Sequence, residues 1–244
     1  MAAGPLLFAG CVAHPVELST GPAQGQIAVR PGRPGFVVAA PHGTSDVNTA
    51  EIAEAIARRS GFGLVVATGF SLPPATRTRA GRRYQVNRPL EGVPGRPPAD
   101  EVASAEARRV YEEYERRVRE AAQGPLTFYV EVHGNSHRDT VQRIEVATVG
   151  VDRELALRLK ALAELIRDAH LRGEPQAPRL EVVVEPGEPL RYTASGAKRD
   201  GILRLPERAL HVELPKAARR DFRQVYTVIL AEFVAQAAAI PPGR

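Results

Sequence analysis

Phe36-Val37-Val38-Ala39-Ala40-Pro41-His42-Gly43 and Thr127-Phe128-Tyr129-Val130-Glu131-Val132-His133-Gly134 are two short apolar runs that each end in His-Gly. Runs of this length, rich in Val and Phe and closed by Pro or Gly, read as strands. Each histidine then stands at the carboxyl end of its strand. A third run, Ala209-Leu210-His211-Val212, ends in Glu213-Leu214-Pro215. Helical patterns separate these runs, and alternating strands and helices predict an α/β fold with a mainly parallel central sheet covered on both faces. Ligands of such sheets bind at the carboxyl ends of the strands, where His42, His133 and Glu213 are expected.

Working outward, the spacing predicts strands over 36–41, 63–68, 126–132, 142–149, 180–185 and 208–214. Helices are expected over 49–60, 100–122, 152–171 and 217–239. Asn48 followed by Glu51 reads as a capping box for the first helix. Phe222, Val225, Tyr226, Ile229, Phe233 and Val234 recur at helical spacing and predict a core-facing stripe on the last. Residues 1–34, rich in Gly and Pro, read as a lead-in with at most one hairpin. One domain is expected over 35–240. The long segments 71–99 and 186–207 flank the site strands and are expected to wall the site.

Two imidazoles and a carboxylate suit zinc with one coordination position left open. His42 and Asp46 lie four residues apart, which suits one turn, and His133 arrives from another strand. These are the expected metal ligands, for one zinc ion. Asp46 also reads as a helix cap, and Glu51 is a rival acidic ligand. Glu213, a carboxylate in an apolar strand, is the expected general base, with a buried ion pair as its other reading. Glu131 shares a strand face with His133 and is placed to orient its ring. His211 shares a face with Glu213, to line the site or to pack. His137 and Asp139 read either as orienting residues or as a surface turn. His14 and His170 have no site context. Arg88 can grip a carboxylate through paired hydrogen bonds, with Asn87 adding a donor. That suggests a small molecule or short peptide with a free carboxylate as the substrate; the other reading is a loop arginine paired with a surface acid.

Composition narrows the classes. Of 244 residues, 43% are hydrophobic and 25% charged, which is ordinary for a globular chain. The net charge of +5 comes from dispersed arginines, and aromatics are only 5% with no tryptophan, so a nucleic-acid partner is not expected. No apolar stretch approaches the ~20 residues of a membrane span. The lone cysteine, Cys11, excludes an internal disulfide. Leu6-Leu7-Phe8-Ala9-Gly10-Cys11 resembles the end of a bacterial lipoprotein signal, but no positive charge precedes it and it is short. The expected location is the cytoplasm, with export as a lipoprotein as the alternative.

Pro41-His42-Gly43 with Asp46, Val86-Asn87-Arg88, Val132-His133-Gly134 and Val212-Glu213-Leu214 together resemble the N-formylglutamate amidohydrolase family. That family is related in fold to the zinc carboxypeptidases and to poly-γ-glutamate hydrolases. The pieces occur in the family's order, and the resemblance covers roughly residues 35–235. It implies a three-layer fold with a mixed sheet of the phosphorylase/hydrolase type. It also implies His42, Asp46 and His133 as zinc ligands, Glu213 as base, and Asn87 and Arg88 on the substrate carboxylate. Tyr192 falls loosely where carboxypeptidases carry a mobile tyrosine. The expected activity is therefore zinc-dependent cleavage of an amide bond in a small N-acyl amino acid. The competing expectations are a carboxypeptidase or γ-glutamyl or cell-wall peptide hydrolase, and a non-catalytic protein that binds carboxylate ligands. Carboxypeptidases carry His-x-x-Glu, whereas here the spacing is one residue longer and the acid is Asp.

Overall fold

The computed structural model describes residues 10–18, 24–71, 82–96 and 100–241. In chain order the elements are β1 (Val12–Glu17), β2 (Gln24–Arg30), β3 (Arg33–Ala40), α1 (Thr49–Ser60), β4 (Phe62–Thr68), β5 (Arg83–Tyr84), β6 (Glu91–Gly92) and β7 (Glu101–Val102). There follow α2 (Ala105–Ala122), β8 (Phe128–Gly134), β9 (Arg143–Val149), α3 (Arg153–Leu171), β10 (Glu181–Val184), α4 (Ser195–Asp200), β11 (Arg208–Leu214) and α5 (Arg223–Ala239).

Eight strands form one mixed sheet in the order β1-β2-β4-β3-β8-β11-β9-β10. The central four, β4, β3, β8 and β11, run parallel, and β9 joins β11 antiparallel. The expected α/β architecture with a mostly parallel sheet is therefore present. The sheet also reaches back into the expected lead-in: β1 and β2 pair as a hairpin, and β2 adds to β4. Val12–Glu17 and Gln24–Arg30 thus form the sheet's outer edge. Of the lipoprotein-like stretch only Gly10 and Cys11 lie within the described residues, and Cys11 is exposed. No helix among the described residues is long and apolar enough to cross a membrane.

Side chains alternate across each strand with period two. Val38, Ala40, Val130, Val132, Leu210 and Val212 face a core shared with α1, α3 and α5. Each fully buried Val or Leu among them contributes about 1.5–3 kcal/mol relative to exposure. Val37, Ala39, Val65 and Tyr129 point the other way, to a core closed largely by α2. α5 packs between α1 and α3.

Three boundaries differ from expectation. Residues 100–104 are not helical: Glu101–Val102 pair with β6, and α2 begins at Ala105 behind Ser104, whose hydroxyl accepts from the Ala107 amide at 3.0 Å. The helix expected over 217–239 opens as a π-helical turn, Ala217–Asp221, and breaks at Phe222 before α5. Asn48 makes no side-chain cap; its backbone is left-handed (φ 70°) and its side-chain amide donates to the Arg219 carbonyl at 2.8 Å. The segment 186–207 carries α4, and 71–99 contributes β5 and β6; residues 72–81 and 97–99 lie outside the described residues.

Candidate metal centre

His42 follows β3 and begins a tight turn in which the Asp46 amide donates to the His42 carbonyl at 2.8 Å. Four residues make one turn, so both side chains emerge on one side. Asp46 Oδ2 lies 3.4 Å from His42 Nδ1 and 3.6 Å from His133 Nδ1. Tetrahedral zinc with bonds of 2.0–2.2 Å sets its ligand atoms roughly 3.3–3.6 Å apart, so both histidine–carboxylate spacings match what the ion needs. Each ring's other nitrogen is already engaged. His42 Nε2 lies 3.0 Å from the Gln85 carbonyl, and His133 Nε2 lies 3.2 Å from Glu131 Oε2. Such partners fix ring orientation and leave the facing nitrogen to a metal. The Gly134 amide donates to Asp46 Oδ2 at 3.1 Å, and a Cβ at Gly134 would stand 2.6 Å from the Arg219 guanidinium. Glycine after His133 therefore lets the strand end approach both groups.

The charges also suit a cation. Burial works to raise Asp46, but His133 and His42 hold its carboxyl well below the usual range. Glu131 is likewise held low, against its burial, by His133 and His211. Burial and the Arg83 charge pull His42 down to about 4, leaving it neutral and able to ligate. Burial pulls His133 down, but Asp46 and Glu131 outweigh it and push it up to about 10. Binding a metal here would displace that proton. The Arg83 guanidinium sits 2.9 Å from His42 Nδ1 and 3.5 Å from Asp46 Oδ1, a positive group already drawn to the same donors.

Glu213 lies beside His133 in the β8–β11 register. His211 Nε2 is 3.3 Å from its Oε1, while its buried Oε2 has no hydrogen-bond partner among the described residues. Burial raises Glu213, but the His211 hydrogen bond and the His133 charge outweigh it, and the carboxyl is held below its ordinary value. Asn87 is fully buried and donates to Glu131 Oε2 at 3.1 Å. Between Gln85 and Asn87, Val86 takes a left-handed backbone (φ 58°), which is strained for a β-branched residue. That twist aims the Gln85 carbonyl at His42 and the Asn87 amide at Glu131.

Arg88 reaches the same cleft, but its fork is engaged: Nε and Nη2 donate to Glu101 at 2.9 and 2.5 Å, and Nη1 to Asn87 Oδ1 at 3.1 Å. Tyr192 lines the opposite wall, and its backbone amide donates to Glu145 Oε2 at 3.0 Å. The cleft encloses about 780 Å³. Both long segments do wall it, through Arg83 and Arg88 on one side and 191–196 on the other. Glu51 is exposed and stands outside the cluster. His137 and Asp139 form their own turn, His14 faces Glu120, and His170 pairs with Glu232.

Arg83, Glu101, Glu145 and Arg219 carried no signal in the sequence. Arg83 is one of several arginines in its segment, and Glu145 sits in an alternating strand like any solvent-facing acid. Glu145 is nevertheless fully buried beside Glu213 on β9.

No protein-family model matches the chain, and no curated protein matches it. Solved structures do. A bacteriophage poly-γ-glutamate hydrolase aligns at 16% identity over 91% of this chain and 91% of its own, with a TM-score of 0.50. A succinylglutamate desuccinylase/aspartoacylase from Rhodobacter sphaeroides aligns at 16% identity over 96% of this chain and 66% of its own, with a TM-score of 0.48. At such identity the likeness shows the fold alone: this chain shares the α/β architecture of the phage hydrolase.

Proposed function

We propose that the chain is a zinc-dependent amidohydrolase that cleaves an amide bond in a small substrate bearing a carboxylate, such as an N-acyl amino acid. The observation that carries this reading is the convergence of His42 Nδ1, Asp46 Oδ2 and His133 Nδ1, with the Glu213 carboxylate on the adjoining strand. A single ion held by these three residues would supply a water of lowered pKa and polarise the substrate carbonyl. Glu213, kept ionised, takes the proton from the attacking water through its free Oε2 and passes it to the departing nitrogen. The Arg83 guanidinium, 2.9 Å from His42 Nδ1, would stand near the reacting carbonyl of a substrate held by such an ion and would offset negative charge on its oxygen. Arg88 has donors to spare: three of its five N–H groups are committed to Glu101 and Asn87. The rest receive the substrate carboxylate, with Asn87 holding the guanidinium in place and Tyr192 closing the opposite wall.

The test is elemental analysis of the purified chain beside the His42→Ala/His133→Ala double variant, followed by a screen of N-acyl amino acids and γ-glutamyl peptides. About one zinc per chain, lost in the double variant, with hydrolysis that disappears in Glu213→Gln, supports the proposal. Absence of bound metal after zinc addition would overturn it.

A further inference from the structure

Across the β8–β11 register His211 stands opposite Glu131, and Glu213 opposite His133, so four polar side chains form a square on one face of the sheet. Glu131 is its anchor. It is fully buried, and its Oε2 receives Asn87 Nδ2 at 3.1 Å and faces His133 Nε2 at 3.2 Å and His211 Nδ1 at 2.9 Å. Tyr129 donates to its Oε1 at 3.0 Å, and the Tyr129 hydroxyl lies 2.9 Å from that of Tyr114. The His211 ring is held on three sides. Nδ1 meets Glu131, Nε2 meets Glu213 Oε1 at 3.3 Å, and its face lies on His133 with ring centroids 4.1 Å apart.

We infer that His211 is a positioning residue for Glu213. Its ring links the anchored Glu131 to Glu213 Oε1 and so turns Oε2, the oxygen without a partner, toward the reacting water. The inference rests on the reading of Glu213 as the base. The geometry gives the ring this task because nothing else among the described residues bonds the Glu213 carboxylate. A carboxylate tethered at one oxygen and bare at the other has one orientation available for proton transfer. Without the tether the side chain turns freely between rotamers, and the correct geometry becomes a minority state. Glu213 acts only once bond-making starts, so the loss falls on kcat rather than on substrate binding.

Two substitutions separate the two ends of the ring. In His211→Asn the side-chain amide overlays the Nδ1 side and still reaches Glu131, but it falls short of Glu213. In His211→Gln the amide extends to the Nε2 position and reaches Glu213. The expected result is a fall in kcat of about 10–100-fold for His211→Asn, with KM and zinc content unchanged, and recovery of most of the loss in His211→Gln. A crystal structure of zinc-loaded His211→Asn should show Glu213 turned from its wild-type orientation, a readout that needs no turnover. Wild-type kcat in His211→Asn, an effect on KM alone, loss of zinc, equal damage in both variants, or an unmoved Glu213 would each overturn the inference. Glu213→Gln in the same series keeps the two ideas apart. If that variant hydrolyses normally, the base reading fails. If it is dead while His211→Asn is unimpaired, only the role given to His211 fails.

Discussion

Strands β8 and β11 present two faces built by opposite means. On one, Val130, Val132, Leu210 and Val212 belong to the apolar core packed against helices. On the other, Glu131, His133, His211 and Glu213 meet mainly one another. The residues alternate one by one along the same backbone, so the two faces share every peptide unit. The apolar face contributes stability through burial. The polar face forgoes that gain and carries desolvated charges that persist only because each has a partner. Along these two strands one face thus packs a core, while the other gathers the polar side chains to which we assign the chemistry, and a change of parity moves a residue from one set to the other.

Substitutions on the two faces should therefore fail differently. The largest effect is expected for His42→Ala/His133→Ala, which should abolish both metal binding and turnover while the chain still folds. Zinc retained at full occupancy would mean that the ligands lie elsewhere. Next, Glu213→Gln should lower kcat by about 10²–10⁴-fold with zinc kept, as read by steady-state kinetics beside metal analysis. On the opposite face, Leu210→Ala should cost about 2–5 kcal/mol of folding stability. Its kcat per folded molecule should match wild type, as urea unfolding and active-site titration would show. A kcat loss as large as that of Glu213→Gln would erase the distinction between the faces. Arg88→Ala removes charge-assisted hydrogen bonds, each worth about 1.5–3 kcal/mol. It should raise KM by about 10–100-fold for substrates with a free carboxylate and leave neutral amides unaffected.

The smallest effect belongs far from the site. Hydrogen bonds from Arg179 and Arg167 hold the Asp168 carboxyl below its ordinary range. A depressed folded-state pKa contributes stability above the unfolded value, near ~3.9, and loses it as pH falls through the folded value. Asp168→Asn should therefore lower stability slightly at neutral pH and flatten the acid limb of the stability–pH curve, the two proteins converging in strong acid; the neutral loss stays small because Asp168 and Arg179 are partly exposed and screened. Urea midpoints measured between neutral and strongly acidic pH would show it.

Much of this was legible in the residues. The strand ends, the two His-Gly pairs, the turn joining His42 to Asp46 and the parity shared by Glu131 with His133 are local patterns, and the structure brings His42, Asp46, His133 and Glu213 together. Other features were not legible. Asn48 has the composition of a helix cap, but its amide is spent on the Arg219 carbonyl, far away in sequence. Residues 100–104 continue a helix-like composition, yet pairing with β6 outweighs the propensity. An acidic partner for Arg88 was one reading of the sequence, but that the partner is Glu101 is a tertiary contact the Asn-Arg pair does not announce.

Local residue order sets which residues alternate, where the strands stop, and that imidazole and carboxylate donors stand at those stops. These follow from the short-range period of the chain and the rules of turns. Long-range packing places β11 beside β8 in the register that sets His211 against Glu131, and returns β9 antiparallel to bring Glu145 next to Glu213. Strand neighbours and register depend on which distant surfaces pack best, and no local pattern encodes that choice.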